Sequence, residues 1–486
     1  MIRFLLNQEL ISLTACDPNM TVLNFLRQTK RLTGTKEGCA SGDCGACSVT
    51  LVELRDEQLH YSTINSCLTL MTALDGKQLI TVEHLRQPDQ LHPVQQAMVD
   101  THGSQCGFCT PGIVMSLFTH RKSTTEYNRT DVVNALAGNL CRCTGYQPIL
   151  NAAQQLYTSD FTDHFDRETR ATMDALKAIQ ERTNNEALHS THETTGERRS
   201  FTPRSLDELD QLLQQFPDSK LMAGGTDLSL AITQMQQRFN TLIHLNQVPE
   251  LIQVSASESS FNIGAACSIS QCETLLASDY ADLGHLFERF ASLQIRNQAS
   301  IGGNIANASP IGDTPPALLA IGASLLLRRE GVYRELPLEQ FFLDYKKTAL
   351  QPREYIVSII IPRKHPETQY KIYKVSKRLD DDISAVCAAI KLSLDEHSKV
   401  SEVRIAFGGM AAIPKRATHT EKVLLQALWS KDTIEKAAEA LCLDFSPLSD
   451  LRASAEYRML VAANLLRKCW LETSQPATIT RVSDNV

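Results

Sequence analysis

The stretch that decides the fold lies between residues 34 and 47 and reads GTKEGCASGDCGAC. Three of its cysteines, Cys39, Cys44 and Cys47, stand in the spacing C-x4-C-x2-C, and nineteen residues separate the third from Cys67. That spacing is typical of plant-type [2Fe–2S] clusters, in which each of two irons takes two thiolates. The glycines of the loop let backbone N–H groups approach the sulfurs, because no Cβ intervenes. A structural zinc site is the alternative, although such sites favour paired C-x2-4-C knuckles.

A second group of four cysteines follows in the next hundred residues. Cys106 and Cys109 form C-x2-C, and Cys141 and Cys143 form C-x-C. The positive end of a helix dipole favours thiolates in a C-x2-C pair at a helix start. Side chains at positions i and i+2 reach one centre most readily from an extended or turning segment. Alone, this group predicts zinc or a redox dithiol as readily as a cluster, but two such groups in succession favour two redox centres.

Composition excludes several classes of protein. The 486 residues include 48 Lys and Arg against 55 Asp and Glu, a net charge of −7, and 43% are hydrophobic. That length predicts about three globular domains. The chain has no basic block and no apolar run of 18 residues, so we expect neither a nucleic-acid nor a membrane partner. The N-terminal apolar stretch is too short for a secretory signal, which predicts a cytoplasmic protein with reduced cysteines.

The hydrophobic pattern divides the chain into four domains and a linker. Strand-like runs surround a helical pattern at TVLNFLRQT, and a mostly helical stretch follows them. A polar, weakly patterned stretch predicts an interdomain linker, transiently helical in its first half. Beyond it, strands alternate with helices, and the C-terminal strands precede a helical tail. The predicted boundaries are 1–80 and 81–157 for the two cysteine domains, 158–197 for the linker, 198–365 for a flavin domain and 366–486 for a C-terminal domain.

Capping residues predict three helices in the second domain. Thr110 with Pro111 is typical of an N-cap followed by proline at the first helical position. Thr130 or Asp131 is expected to cap a second helix that runs to Leu140. Pro148 is expected to start a third.

Two glycine pairs mark the third domain. Gly224 and Gly225 follow a strand-like run, and such a pair suits a tight turn whose amides hold phosphate oxygens. The sequence is not G-x-G-x-x-G, so a Rossmann site is not predicted. A second pair, within Ser300 to Asn304, repeats the pattern. A single glycine pair is more often only a turn, but two such loops in one domain favour a dinucleotide.

These motifs resemble those of a known family. EGCASGDCGACSV, QCGFCTPG and GNLCRCTGY are similar to the paired [2Fe–2S] domains of the molybdenum hydroxylases, the xanthine dehydrogenase and aldehyde oxidase family. LMAGGTDL and SIGGNIANASPIGD are similar to its FAD domain. The resemblance covers nearly the whole chain apart from the linker. It implies a multidomain α+β fold: a β-grasp ferredoxin domain, a helical-bundle [2Fe–2S] domain, an α+β FAD-binding domain of non-Rossmann type and a C-terminal α+β flavoprotein domain.

The resemblance also implies site residues. Cys39, Cys44, Cys47 and Cys67 would hold one cluster, and Cys106, Cys109, Cys141 and Cys143 would hold the other, nearer the molybdopterin, where Gln105 would contact the pterin. The implied flavin contacts are Leu221, Met222, Ala223, Gly224, Gly225, Thr226, Asp227, Leu228, Phe290, Ser300, Ile301, Gly302, Gly303, Asn304, Asp313, Ile356 and Lys374.

One segment departs from the family's pattern, and another allows two interpretations. Gly225-Thr226-Asp227 stands where several relatives have Asn-Thr-Glu. Asp380, Asp381 and Asp382 are typical of a solvated acidic turn, and the resemblance makes them candidates for shaping nicotinamide access. Of the six remaining cysteines, Cys267 and Cys272 are expected to be small buried hydrophobic side chains.

The function that the resemblance implies is electron transfer. Iron–sulfur and flavin domains fused without a molybdenum domain behind them resemble the small subunit of two-subunit bacterial members. A molybdopterin-binding large subunit would oxidise hypoxanthine and xanthine to urate, and electrons would pass through both clusters to FAD and then NAD+. The pair is expected to double into a heterotetramer, and no catalytic side chain is predicted on this chain. The alternatives are an aldehyde or N-heterocycle hydroxylase with another acceptor, and a zinc-binding scaffold without redox activity.

Overall fold

The computed structural model describes residues 1–158, 160–185, 198–475, 478 and 480. The chain divides into two compact units. The first consists of Met1–Val248 with Ala291–Ala299, and the second of Pro249–Phe290 with Ser300–Val486. The predicted flavin domain, 198–365, therefore contributes to both units, because its residues 198–248 and 291–299 belong to the first.

The N-terminal sheet has the β-grasp arrangement that the sequence predicts. Thr21 caps a short helix, Val22–Asn24, which continues as a π-helical turn, Phe25–Thr29, across the sheet. The ring of Phe25 packs edge-on against Phe4 in the core between helix and sheet. The strands, in sheet order, are Glu9–Leu13, Ile2–Leu6, Gln78–Ile80, Ser48–Arg55 and Gln58–Asn65, with only the second and third parallel. Single 3-10 turns occupy Met71–Leu74 and Val82–His84.

Helices dominate the next region, and two capping predictions were wrong. Asn128, not Thr130 or Asp131, caps the second predicted helix, because its side chain accepts the N–H groups of both those residues. That helix ends at Leu136, four residues before the predicted end. Thr110 is the first helical residue after Cys109 rather than the cap. The helices are Pro93–Asp100, Thr110–Ser123, Arg129–Leu136 and Gln147–Gln155.

The predicted linker is partly ordered. Helices His164–Arg167 and Thr169–Asn185 lie within 158–197. Leu176 and Ile179 are buried against Leu5 of the N-terminal sheet. Leu176 and Ile179 are three residues apart and therefore lie on one face of the helix, which is buried. This part of the predicted linker is thus packed against the N-terminal sheet rather than being a free connection between domains. Residues 186–197 lie outside the described residues.

A small parallel sheet completes the first unit. Its strands, in order, are Arg199–Phe201, Thr241–His244 and Lys220–Met222. Ser205 caps helix Leu206–Gln215, since its hydroxyl accepts the N–H of Glu208. The other helices here are Leu228–Thr233 and Leu293–Arg296.

The second unit contains two antiparallel sheets. The first has the order Val332–Pro337, Ser324–Arg329, Tyr355–Pro362, Ser260–Gly264 and Val254–Ala256. The second has the order Gln369–Val375, Val386–Leu394, Val400–Gly408 and Lys415–Arg416. A hairpin joins Phe342–Asp344 to Lys347–Thr348. The helical segments are Pro249–Ile252, Ile269–Ala277, Ala281–Glu288, Ile301–Ala306, Thr314–Ile321, Leu338–Gln340, Thr418–Leu424, Lys431–Asp444 and Ala455–Ser474.

Burial and hydropathy agree with two of the sequence expectations. Cys267 and Cys272 are fully buried, as predicted for small hydrophobic side chains. Among the described residues, no helix has the length and apolar character needed to cross a membrane.

Candidate redox centres

The first four cysteines converge in the structure as two pairs. The thiol of Cys44 hydrogen-bonds the sulfur of Cys39 and lowers the pKa of Cys39 to about 4, although burial opposes this shift. The thiol of Cys67 hydrogen-bonds Cys47 in the same way and lowers the pKa of Cys47. Both Cys47 and Cys67 are 2% exposed. Two pairs of cysteine sulfurs match the demand of two irons for two ligands each.

Backbone N–H groups point at these sulfurs. The N–H of Ser41 lies 3.4 Å from the sulfur of Cys39, and the N–H groups of Ala46 and Gly42 bond Cys44 and Cys67. An added Cβ at Gly38 would stand 2.7 Å from the sulfur of Cys44. The loop therefore offers what a negatively charged cluster needs, namely amide donors and room for close backbone approach.

The second four cysteines also pair. The sulfur of Cys106 accepts the N–H of Phe108 and a hydrogen bond from Cys143, and both lower its pKa. Cys109 pairs with Cys141. Cys106 and Cys143 are exposed, whereas Cys141 is buried. One side of this centre therefore faces the surface of the chain.

The arrangement of both groups bears on the zinc alternative. Among the described residues, no three His, Cys, Asp or Glu side chains converge on a point that a single metal ion could take. A structural zinc ion needs four ligands around one point. The observed pairs, each with its own amide donors, fit a two-iron cluster. Gln105 is exposed beside Cys106, and its contact with a pterin stays a prediction.

The first glycine loop of the flavin region lies in the first unit. An added Cβ at Gly224 would stand 1.8 Å from the carbonyl oxygen of Gln298, and Gly225 has φ +73°. Within the described part of the chain, the N–H groups of residues 224–227 donate to no protein acceptor. The loop is partly buried. Free amides in a glycine turn can hold phosphate oxygens, so this loop fits the flavin dinucleotide.

A short helix joins that loop to the first cysteine group. Helix Leu228–Thr233 begins directly after the loop. The Ser229 hydroxyl donates to the carbonyl oxygen of Leu68 at 2.7 Å, and the side-chain amide of Gln234 donates to the carbonyls of Cys39 and Ala40 at 3.0 and 2.9 Å. The 224–227 loop and the loop that contains Cys39 are thus held in one local hydrogen-bond network.

The second glycine loop, in the second unit, differs from the first. The N–H groups of residues 301–304 all donate within the chain, to Cys267, Ala265 and twice to Ser300. An added Cβ at Gly302 would stand 2.5 Å from the Cβ of Ala265, so packing explains this glycine. Any flavin contact here has to use side chains or the exposed edge at Gly303 rather than these amides.

A buried ion pair unites two predicted flavin residues of the second unit. The ammonium of Lys374 lies 2.7 Å from the carboxylate of Asp313, with the side chains 3% and 7% exposed. Ser384 donates to the same carboxylate at 2.6 Å, and Lys374 also donates to the carbonyl of Arg289. Of the other predicted contacts, Phe290 is half-buried and Ile356 is buried in its strand. The pair holds three segments of this unit together.

The acidic segment at residues 380–382 lies in a turn that its own hydrogen bonds stabilise. Asp382 accepts the N–H groups of Arg378 and Ile383, and the guanidinium of Arg378 stands 3.4 Å from its carboxylate. Asp381 has φ +47°. These bonds explain the conformation without a ligand, and a role of Asp380–Asp382 in nicotinamide access stays a prediction.

Comparisons with known proteins agree with this geometry. Residues 5–72 match the 2Fe-2S iron-sulfur cluster binding domain, and residues 81–154 match the [2Fe-2S] binding domain. Residues 195–364 match the FAD binding domain in molybdopterin dehydrogenase, and residues 371–473 match the CO dehydrogenase flavoprotein C-terminal domain.

Curated relatives extend the match along the chain. Xanthine dehydrogenase of Emericella nidulans is 34% identical over 92% of this chain and 36% of its own length. Xanthine dehydrogenase/oxidase of Mus musculus is 32% identical over 97% of this chain and 39% of its own. The chain belongs to the molybdenum hydroxylase family. It spans less than half the length of these relatives and carries the two 2Fe–2S domains and the FAD domain of this family of oxidoreductases.

A solved structure supports the fold class. The carbon monoxide dehydrogenase from Hydrogenophaga pseudoflava which lacks the Mo-pyranopterin moiety of the molybdenum cofactor matches with a TM-score of 0.53. It is 28% identical and covers 56% of this chain and 95% of its own. The multidomain α+β class predicted from the sequence is confirmed.

Sequence reasoning missed the residues that connect the centres of this family member. Gln294, Ser229 and Gln234 lie outside the quoted motifs, and Asn139 lies within GNLCRCTGY without a predicted role. Each bonds a partner distant in sequence. Gln294 lies two residues after Ser292, which caps a four-residue helix, and only that cap has a local signature. Long-range polar contacts of this kind have no periodic signal in a single sequence.

Proposed function

We propose that this chain is the electron-transfer part of an NAD-dependent xanthine dehydrogenase. Electrons released when a molybdopterin-binding partner subunit oxidises hypoxanthine or xanthine to urate would leave through this chain. The observation that carries the proposal is the pairing of eight cysteines, within one compact unit, next to a loop with free amides. When bound, two 2Fe–2S clusters pass single electrons and FAD collects two for a hydride to NAD+, chemistry that side chains cannot supply.

The residues of the chain hold and tune these groups. Cys39, Cys44, Cys47 and Cys67 would ligate one cluster, and Cys106, Cys109, Cys141 and Cys143 the other. The amides of residues 224–227 would bind the flavin phosphates, and the Asp313–Lys374 pair would hold its segments of the second unit together. Amide bonds to the sulfurs stabilise thiolates and set reduction potentials.

The substrate class rests on the relatives. The two relatives named above cover 92% and 97% of this chain in one polypeptide, whereas the carbon monoxide dehydrogenase chain covers 56% of it. Iron–sulfur and flavin domains in one chain therefore favour the xanthine dehydrogenase arrangement. The partner would form a heterodimer with this chain, and two heterodimers a tetramer. Eight ligand thiols require a reducing compartment, which favours the cytoplasm.

The test uses the protein purified with its partner and kept free of oxygen. We expect xanthine to bleach the visible absorbance of clusters and flavin, and NAD+ to restore it. Bleaching by NADH but not by xanthine would leave the electron-transfer role and reject the substrate. A folded sample that contains zinc, without iron or acid-labile sulfide, would reject the electron-transfer role itself.

A further inference from the structure

The two cysteine loops touch through one peptide hydrogen bond. The N–H of Leu140 donates to the carbonyl oxygen of Cys44 at 3.0 Å. Cys44 belongs to the first cysteine group, and Leu140 directly precedes Cys141 of the second. The bond therefore joins the two groups through one hydrogen bond and a short run of covalent bonds. It also explains why the helix that begins at Arg129 ends at Leu136: the chain has to leave the helix before Leu140 can reach Cys44.

Close backbone approach surrounds that bond. An added Cβ at Gly45 would stand 2.2 Å from the carbonyl oxygen of Gly138, and one at Gly112 would stand 2.2 Å from the carbonyl oxygen of Gly45. Gly45 has φ +67°. Three glycines thus meet where the loops cross, and no side chain separates them.

A buried polar network fixes this crossing. The amide nitrogen of Asn139 donates to the carbonyl oxygen of Gly45 at 3.1 Å, and the Ser116 hydroxyl donates to Oδ1 of Asn139 at 2.7 Å. Asn139 is 2% exposed. Its side chain therefore connects the helical domain to the cysteine loop of the ferredoxin domain.

The remaining member of the network comes from a distant part of the sequence. Gln294 lies in residues 291–299, which fold with the first unit, and it is fully buried. Its amide nitrogen donates to Oδ1 of Asn139 at 2.9 Å and lies 3.3 and 3.4 Å from the hydroxyls of Ser116 and Ser48. Its Oε1 has no partner among the described residues. A buried unpaired acceptor is costly, so the fold keeps this amide where it reaches Asn139 despite that cost.

We propose that Gln294 is a positioning residue that sets the contact between the two cysteine loops, and thereby the coupling between the two clusters. The inference rests on the proposed function, because it needs both clusters. Gln294 orients Asn139, Asn139 holds the Gly45 carbonyl, and the adjoining Cys44 carbonyl then receives the N–H of Leu140. Ile295, the next residue, packs against a buried cluster that contains Cys47 and Cys67, so the same segment also adjoins the first cysteine group.

The test compares Gln294→Met, which keeps the side-chain volume and loses the donor, with Gln214→Met, an exposed glutamine in the same unit. The first readout is amide hydrogen exchange of the peptide around Leu140. The second is the electron paramagnetic resonance splitting between the two reduced clusters in the holoprotein. We expect Gln294→Met to retain its iron, to exchange about tenfold faster at Leu140 and to lose about half of the splitting, as for one buried hydrogen bond removed.

The outcomes separate this inference from the proposed function. Wild-type protein without cluster signals would reject the proposed function. Wild-type splitting with no change in Gln294→Met, relative to Gln214→Met, would overturn the inference. If Gln294→Met loses its clusters, Gln294→Asn keeps an amide that is one methylene too short, and weakened splitting there would support the inference. Loss of iron in both variants would overturn it, because Gln294 would then retain the clusters rather than position the loops.

Discussion

The hydroxyl of Ser229 donates a 2.7 Å hydrogen bond to the carbonyl oxygen of Leu68, the residue after Cys67. Ser229 is fully buried and lies two residues beyond the loop of free amides at 224–227. This bond and those of Gln234 attach the proposed flavin loop to the proposed ligands of the first cluster. These hydrogen bonds would fix the distance between the two redox groups that we propose to bind there.

Replacing Ser229 by alanine should weaken this attachment. The carbonyl of Leu68 would lose a buried partner, so we expect the free energy of unfolding to fall by about 1–2 kcal/mol. We also expect less FAD to remain bound after gel filtration. Denaturant unfolding and flavin absorbance measure the two effects. Ser401→Ala, at an exposed position, is the control and should change stability by less than about 0.5 kcal/mol. Equal behaviour of the two variants would contradict the role given to Ser229.

Removal of one proposed ligand should remove one cluster. Cys47→Ala deprives an iron of one of its two thiolates, so we expect about half of the iron and acid-labile sulfide of the wild type. The second cysteine group should keep its cluster signals. Cys442→Ala is a matched control, because Cys442 is an exposed cysteine outside both groups. Full iron content in Cys47→Ala, or a loss in Cys442→Ala, would contradict the ligand assignment.

The Asp313–Lys374 pair predicts an asymmetric mutational response. Lys374→Met leaves a buried carboxylate without its cation, which should cost about 3–5 kcal/mol in the free energy of unfolding. The double variant Asp313→Asn/Lys374→Met removes both charges and should recover much of that loss. Denaturant unfolding of the three proteins provides the measurement. Additive losses in the double variant would show that the two side chains do not interact as a pair.

His244 predicts an acid-dependent loss of stability. Burial lowers the pKa of His244 from 6.5 to about 4, and its ring lies 2.7 Å from the hydroxyl of Thr72. Between these pH values the unfolded chain binds a proton that the folded chain does not. The free energy of unfolding is therefore unaffected by this histidine above pH 6.5. It decreases as the pH falls from 6.5 through about 4, by up to about 3 kcal/mol.

The check is the pH dependence of unfolding for His244→Gln. We expect this variant to lose less stability between pH 7 and pH 4 than the wild type, because it carries no titrating ring. His60→Gln, which makes the same replacement at an exposed histidine, is the control. Parallel profiles for wild type and His244→Gln would rule out His244 as the titrating group.

The spacing of cysteines in the sequence predicts much of the cofactor chemistry. C-x4-C-x2-C identifies a cysteine loop because three ligands lie within nine residues, and C-x2-C with C-x-C does so nearly as well. The helix at Leu206–Gln215 follows from its cap and its periodicity. The end of the helix at Leu136 could not be predicted in this way. It depends on the hydrogen bond between Leu140 and Cys44, two residues that lie ninety-six positions apart in the sequence. The packing of Leu176 and Ile179 was missed for the same reason.

The sequence by itself therefore determined the fold class and the family and predicted the two sets of cluster ligands, since each depends on residue types at short spacing. Only the tertiary structure decided that the amides of residues 224–227 are free while those of residues 301–304 are used within the chain. Only the tertiary structure placed Gln294 at the contact between the two cysteine loops. It also placed Ser229 between the first cysteine group and the 224–227 loop. Hydrogen-bond partners far apart in sequence are selected by packing, which brings donors and acceptors within 3 Å only after the domains have folded.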